Sequence, residues 1–367
     1  MNILFDHQIF SSQRYGGISR YFYELVCGFD AIQDVEVKIT LLISNNHYIS
    51  EKIYTKHIDL LPNSRFRGRQ RFFNLLNSPK SILQLNRQNF DIFHPTYYNP
   101  YFLNYIGNKP FVLTVHDMIH EKFNELFSSN DKTSQNKRLL VEKASKIIAI
   151  SESTKKDLIE LFGTEESKIE VVYLGSSMSP KSEISISFEI PKNYILFVGL
   201  REGYKNFERF IKSVATILND KEDLFVICVG GDEFRSGELK LFFDLNIENQ
   251  ILQYNLNDDN LPYFYKNALT FVFPSLYEGF GIPILESFAC ECPLICSNVS
   301  SLPEVAGKGA CYFDPYSEES IKNAVLKVLE DANFREQLML NAAKRLKFFS
   351  WKRTARQTKC VYEKVLA

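Results

Sequence analysis

Short apolar runs alternate with amphipathic stretches from one end of this chain to the other, and no other feature narrows the fold as far. A short apolar run bounded by turn residues suits a strand buried on both faces, and buried parallel strands need helices to cross between them. In the first half the pattern predicts strands at Asn2–Phe5, Val37–Ile43, Ile92–His94, Phe111–Val115, Ile147–Ile150 and Ile169–Val172. The spacing of Ile18, Tyr21, Phe22, Leu25 and Val26 predicts a helix over Ser19–Phe29, and Lys155–Phe162 reads as another, capped by Ser153 and Thr154. The rhythm stops at Gly175–Pro191, a Ser- and Pro-rich stretch that reads as a linker. It restarts with strands at Tyr194–Val198, Leu224–Val229, Ile251–Tyr254, Leu269–Phe273 and Pro293–Cys296. Helices are expected near Asn206–Leu218, Gly237–Leu245, Pro262–Asn267, Pro283–Cys290 and Glu319–Asp331. The expectation is α/β: two doubly wound domains in succession, with ligands at the carboxyl ends of their strands.

A chain of 367 residues accommodates two such domains. Hydrophobic residues at 45% and charged residues at 24% give the make-up of a soluble globular protein. A net charge of −1 gives no electrostatic reason to expect nucleic acid as a partner. The seven cysteines form no C-x-x-C pair, and Cys290, Cys292 and Cys296 lie in an apolar run without a neighbouring His. Buried reduced thiols are the expectation there, and not a metal site. The opening MNILFDHQIF has no basic segment leading into a long apolar one, so it reads as a strand and not as a signal peptide. No apolar run approaches the roughly 20 residues of a membrane-spanning helix, and the expected location is cytoplasmic.

The most informative loop follows the strand that ends at Phe273: PSLYEGFGIPILES. Gly279 and Gly281 let a ligand approach backbone amides, and Pro283 suits the first turn of the next helix. The positive end of that helix attracts an anion. Glu286, expected in the first helical turn, can accept from vicinal hydroxyls, and Glu278 sits in the loop itself. Two glutamates around such a turn suit an anionic sugar nucleotide, although an isolated pair would pass for a solvated loop and a self-capping helix. A second strand ends in FVGLREGYKNF, where Arg201 and Lys205 stand at its mouth and can neutralise a diphosphate. Ordinary surface basicity is the alternative. Gly16 and Gly17 in RYGGIS precede an amphipathic helix and resemble an anion-cradling turn, but turns use Gly pairs constantly.

His116 ends a strand in TVHDMIH and can reach a cleft as a hydrogen-bond donor or base. His120 lies four residues on, without the helical frame and third ligand of a metal site; His94 reads as structural. Finally, RFRGRQRFFNLL interleaves Arg65, Arg67, Arg69 and Arg71 with Phe66, Phe72 and Phe73. Such a segment can meet an anionic lipid surface or a nucleic acid backbone, of which a near-neutral chain favours the lipid, or it is a solvated loop leading into a half-buried helix.

These stretches together resemble the retaining nucleotide-sugar glycosyltransferases of family 4, which have the GT-B fold. The resemblance is carried by YGGISRYFYEL, TVHDMIHE, VGLREGYKNF, FPSLYEGFGIPILES and SSLPEVAG, which span both halves. It implies two facing Rossmann-like domains, here residues 1–178 on the acceptor side and 190–345 on the nucleotide-sugar side. FFSWKRTA then resembles the segment where a last helix, within 346–367, returns to the first domain. The opening stretch and HPTYYNPYF further resemble the branch that builds bacterial O-antigen or capsule, often with GDP-mannose.

By position, the resemblance implies that Gly16 and Gly17 line the donor diphosphate while Arg201 and Lys205 neutralise it. Glu286 would hold the ribose; Glu278 and the amides of Phe280 and Gly281 would hold the sugar hydroxyls; His116 would contact the sugar's face. It implies no cofactor and no metal, the nucleotide sugar being a substrate, and a glycan or polyprenyl-linked glycan as acceptor. One departure is Glu291, in ACECP, where the family usually has Gly; a left-handed backbone there would cost of order 1 kcal/mol. Two rival readings share the fold: a nucleotide-sugar 2-epimerase, and a non-catalytic nucleotide-sugar-binding subunit.

Overall fold

The computed structural model describes residues 1–50, 57–59, 68–178, 189–256 and 259–367. Arg65, Phe66, Arg67 and most of the expected linker lie outside the described residues. The chain divides into two compact units, Met1–Leu174 with Trp351–Ala367, and Gly175–Ser350.

In the first unit, β1 (Asn2–Phe5) lies between β2 (Glu36–Ile39) and β5 (Ile92–His94), all parallel. A parallel bridge from Phe93 to Phe111 connects this group to β6 (Val112–Val115), which pairs in turn with β7 (Lys146–Ala149), and β7 with β8 (Ile169–Val171). The strand expected over Val37–Ile43 is divided: β2 stops at Ile39, and β3 (Ile43–Ser44) pairs with β4 (Ile58–Asp59). The reason is local. Leu41 N–H turns back to the Ile39 carbonyl, and Asn77 Oδ1 takes the amides of Leu42 and Ile43 in place of a neighbouring strand.

The C-terminal helix Trp351–Leu366 belongs to this unit and buries Trp351, Thr354, Ala355, Thr358, Val361 and Tyr362, one face at helical spacing. It packs on the helix Gly17–Asp30 so closely that a Cβ on Gly28 would stand 2.6 Å from that of Ala355. Thr354 donates to the Tyr173 carbonyl and Tyr362 meets His94 Nδ1 at 2.6 Å. The helix Glu152–Phe162 is capped by Ser151, whose hydroxyl accepts from Thr154 N–H, and not by Ser153 or Thr154 as expected.

The second unit is one parallel sheet of six strands: β9 (Asn193–Val198), β10 (Leu224–Val229), β11 (Ile251–Tyr254), β12 (Thr270–Phe273), β13 (Leu294–Ser297) and β14 (Ala310–Phe313). The order is β11-β10-β9-β12-β13-β14. The chain reverses its direction of winding between β9 and β12, so the loops leaving those two strands lie side by side at a topological switch point. Helix Phe207–Asp220 buries Phe207, Phe210, Ile211, Val214, Ile217 and Leu218 against the sheet. The strand Ala310–Phe313 and the helix Ala332–Leu346 were not expected from the sequence. Glu291 does stand at φ 56°, the left-handed region that favours glycine.

Candidate active site

At the switch point the two loops are stitched together. Leu276 N–H donates to the Tyr204 carbonyl at 2.7 Å, and Asn206 Nδ2 donates to the carbonyls of Pro274 and Pro315. Asn206 is itself left-handed, at φ 58°, and starts the helix Phe207–Asp220. Lys205, the residue before it, reaches across to Glu278: Nζ lies 2.6 Å from Oε1, with the two side chains 17% and 12% exposed. Ser275 Oγ donates to the same oxygen at 2.7 Å. The Glu278 backbone is fixed as well, its N–H on Ser300 Oγ and its carbonyl accepting from Ser301 Oγ, which also donates to the Phe280 carbonyl. A charged pair held this way at the mouth of two buried strands is oriented before any ligand arrives.

Gly281 forms the N-cap of the helix Ile282–Ala289 at φ 99°, and a Cβ there would come within 3.0 Å of Leu302 Cδ2. Both the backbone angle and the space require glycine. Gly279 and Phe280 precede it in the same loop. Glu286 is the fifth residue of the helix and not part of its first turn; it is 6% exposed, and Tyr265 OH donates to its Oε2 at 3.4 Å. Burial first, and then the Glu286 charge, pushes the Tyr265 phenol well above its ordinary value, so it stays a donor.

Arg201 departs from expectation. Its Nε bonds to Glu238 at 2.9 Å, Nη1 to the Gly230 carbonyl and Nη2 to the carbonyls of Asp232 and Glu233, with 5% of the side chain exposed. The guanidinium lies 4.7 Å from the Phe234 ring centre. It fastens the loop after β9 to the segment after β10, and Lys205 alone of the two cations pairs with Glu278. Sequence position put both at the strand's mouth; the opposite orientation of their side chains depends on the loop conformation.

The remaining expected residues belong to the first unit. His116 follows β6 and is 7% exposed, its ring edge-on to Tyr21 at 5.0 Å and its Nε2 buried without a hydrogen-bond partner. Desolvation pulls its pKa down to about 4, against the pull of Asp117 and with the help of Lys137. The imidazole is therefore neutral near pH 7. Lys137, fully buried, donates to the Asp117 carbonyl at 2.9 Å and to Glu121 at 2.8 Å, so it holds the loop that carries His116. His120 stacks on Phe127 at 3.9 Å, and His94 is buried between Tyr362 and Thr114. Gly16 caps the helix Gly17–Asp30, where Gln13 Oε1 takes the Ser19 amide and leaves 2.4 Å for a Cβ on Gly16; a Cβ on Gly17 would meet nothing.

In the basic segment, Phe73 is fully buried on the inward face of the helix Arg69–Arg87 with Asn77, Ser81 and Leu85, so it cannot meet a lipid surface. Arg69 is engaged with Asn45 and the Ser12 carbonyl, while Arg71 and Phe72 are exposed. Sequence reasoning gave no role to Asn206, Ser275, Ser300, Ser301 or Tyr265. The signals present were a Lys-Asn pair opening a helix and a Ser-Ser pair before LPEVAG, neither of which says what it will touch.

Residues 15–177 match the family model Glycosyltransferase Family 4, and residues 180–345 match Glycosyl transferases group 1. O-antigen chain mannosyltransferase B of Escherichia coli is 30% identical over 238 residues, which are 61% of this chain and 61% of that protein. The matched stretch thus spans about three fifths of that relative's length. Sucrose-phosphate synthase of Thermosynechococcus elongatus superposes with a TM-score of 0.75 at 19% identity, over 99% of this chain and 98% of that one. An Anabaena protein, HepE, in complex with UDP-glucose gives 0.72 at 17% identity, over 99% of this chain and 100% of that one. The fold is therefore GT-B in class, two Rossmann-like units in one chain.

Proposed function

Because this chain belongs to the glycosyltransferases that join a family 4 domain to a group 1 domain, we propose that it transfers a hexose, mannose by preference, from a nucleotide sugar such as GDP-mannose to a glycan or lipid-linked glycan of a surface polysaccharide, with retention of configuration. The observation that carries the reading is the Lys205–Glu278 pair at the switch point of the six-stranded sheet, beside the glycine-capped helix Ile282–Ala289. An arriving diphosphate takes Lys205 as its counter-charge and frees Glu278 to accept from the sugar's hydroxyls. Glu286 holds the ribose, and the amides of Phe280 and Gly281 meet the donor sugar. From the first unit, Gly16 and Gly17 are proposed for the diphosphate and neutral His116 for the sugar's face. Arg201 serves as a positioning residue for the loop that presents Lys205. The relative named an O-antigen mannosyltransferase supports the choice of sugar and pathway.

The deciding measurement is thermal shift and slow donor hydrolysis across GDP-mannose and UDP-hexoses. One donor should stabilise the protein and be hydrolysed, and Lys205→Ala should cut transfer by two to three orders of magnitude, the roughly 2.7–4 kcal/mol of a lost preorganised donor. Conversion of donor to an epimer with no acceptor present would favour the isomerase instead, and tight binding without turnover the non-catalytic subunit.

Contact with the cytoplasmic membrane is a second element of the reading. No helix among the described residues is long and apolar enough to cross a membrane. Exposed Phe72, Leu75, Pro79 and Leu83 instead follow one another along one face of the helix Arg69–Arg87, with Arg71 and Arg87 exposed beside them. The chain should float with anionic liposomes, and Phe72→Asp with Leu75→Asp should abolish flotation; flotation unchanged by that pair rejects this face as the anchor.

A further inference from the structure

The first unit has a switch point of its own, between β1 and β5, and a cavity of about 240 Å³ opens there. His7 and Gln8 enter it from the loop after β1, Tyr97 and Tyr101 from the loop after β5, and Gln70, Asn74 and Ser78 from the helix Arg69–Arg87. Among the described residues, no Lys, Arg, Asp or Glu lines it. Drug-sized ligands fill roughly 300–1,000 Å³, so this space suits a single ring and is too small for a nucleotide.

Its walls are braced from behind. Asp6, fully buried, accepts from Thr96 N–H and Oγ1, from Gln8 Nε2 at 2.7 Å and from Tyr101 OH at 3.2 Å. Its charge under the floor repels an anionic ligand. Gln8 also clamps Asn99, donating to its carbonyl and accepting its N–H. His7 is held from behind, Nδ1 lying 2.7 Å from Ser81 Oγ. Ser78 gives its one hydrogen to the Asn74 carbonyl at 2.6 Å and stands 3.4 Å from His7 Nε2. Burial, opposed by Asp6, pulls the imidazole below its ordinary value and favours the neutral form. The long Ser78 contact leaves Nε2 open to a better-placed hydrogen-bond partner. Gln70 and Asn74 make no side-chain hydrogen bond to another described residue.

We propose that this cavity is a subsite for one uncharged, hydroxyl-rich sugar ring of the acceptor, held by His7, Gln70 and Asn74 against the faces of Tyr97 and Tyr101. The inference rests on the transferase reading. Neutral donors and acceptors beside two tyrosine rings match a pyranose, which offers hydroxyls at its edge and C–H groups on its faces. A phosphate or carboxylate would find no cation among the described lining residues.

Saturation-transfer NMR on the full chain with methyl α-mannoside, methyl α-galactoside and methyl N-acetyl-α-glucosaminide tests the subsite directly. At least one glycoside should receive saturation from the wild type. Gln70→Ala with Asn74→Ala should raise its dissociation constant about tenfold, the effect of two lost hydrogen bonds, at an unchanged melting temperature. Both positions lie on solvent-accessible parts of a helix, where alanine is well tolerated. No transfer to any of the three glycosides, or affinity unchanged by the double substitution, overturns the subsite. Donor hydrolysis by the wild type, run alongside, separates the two failures. Hydrolysis without glycoside binding removes the subsite alone, whereas no response to any nucleotide sugar removes the transferase reading beneath it.

Discussion

The two units share a winding pattern but differ in the polar groups they bury. The first buries His7, His94, His116, Asp6 and Lys137, and all six histidines of the chain fall within it. The second buries a sheet of apolar side chains and the thiols of Cys228, Cys290, Cys292, Cys296 and Cys311. Both units bury extensive apolar cores, and the first adds orientation-dependent hydrogen bonds among its buried imidazoles, carboxylate and amine. Those groups place donors and acceptors at fixed points, as its small polar cavity requires. The sheet of the second unit supplies a stiff platform, and Asn206, Ser275 and Ser301 are buried where loops leave it. The lesson is that one topology can carry titratable groups in its interior or gather much of its polar chemistry near the strand ends.

Acid should separate the two most clearly. Burial holds His116 at a pKa of about 4 and His94 at about 3, against 6.5 unfolded. Between pH 6.5 and about 4 the unfolded first unit binds protons that the folded one refuses, so its stability is full above 6.5 and falls as the pH drops through that window. His116 alone accounts for roughly 3 kcal/mol. The thiols are silent there, burial having pushed Cys290 up to about 12 and the others upward as well. The one tryptophan, Trp351, is buried in the first unit and reports on it selectively. Its emission should shift to the red on titration from pH 7 to 4 while amides of β9, β10 and β12 stay protected from exchange. Loss of both signals together would mean that the units unfold as one and that the contrast has no energetic meaning.

A smaller effect probes the second unit. Glu291 stands in the left-handed region, at φ 56°, just after the helix Ile282–Ala289. Glu291→Gly should stabilise by about 0.5–1 kcal/mol, the relieved strain less the entropy that glycine adds to the unfolded chain. Chemical denaturation measures it, and the gain should appear without any change in acid sensitivity. A loss of stability would show that the side chain makes contacts worth more than the strain.

Legibility differed between strands, loops and side-chain partners. Ile92–His94 and Leu224–Val229 have the bounds that the apolar runs predict, because strands buried on both faces leave apolar stretches. Val37–Ile43 misled because its apolar run continues through a turn whose amides are satisfied by Asn77, a residue more than thirty positions away. In the site, Glu278 and Lys205 were both singled out from sequence. Their pairing required the β9–β12 adjacency, which no local pattern encodes.

The sequence by itself determined the α/β class, the position of most buried strands, the glycine at 281 and the charged residues at the strand ends. All of these follow from periodicity, backbone freedom and chain order, which are local properties. Tertiary structure alone decided that Arg201 turns to Glu238 while Lys205 turns to Glu278, and that Phe73 is core while Phe72 is surface. It also decided that residues from two loops and one helix surround a neutral cavity. A side chain's partner depends on which distant segment the sheet order brings beside it, and that order is set by packing summed over the whole unit.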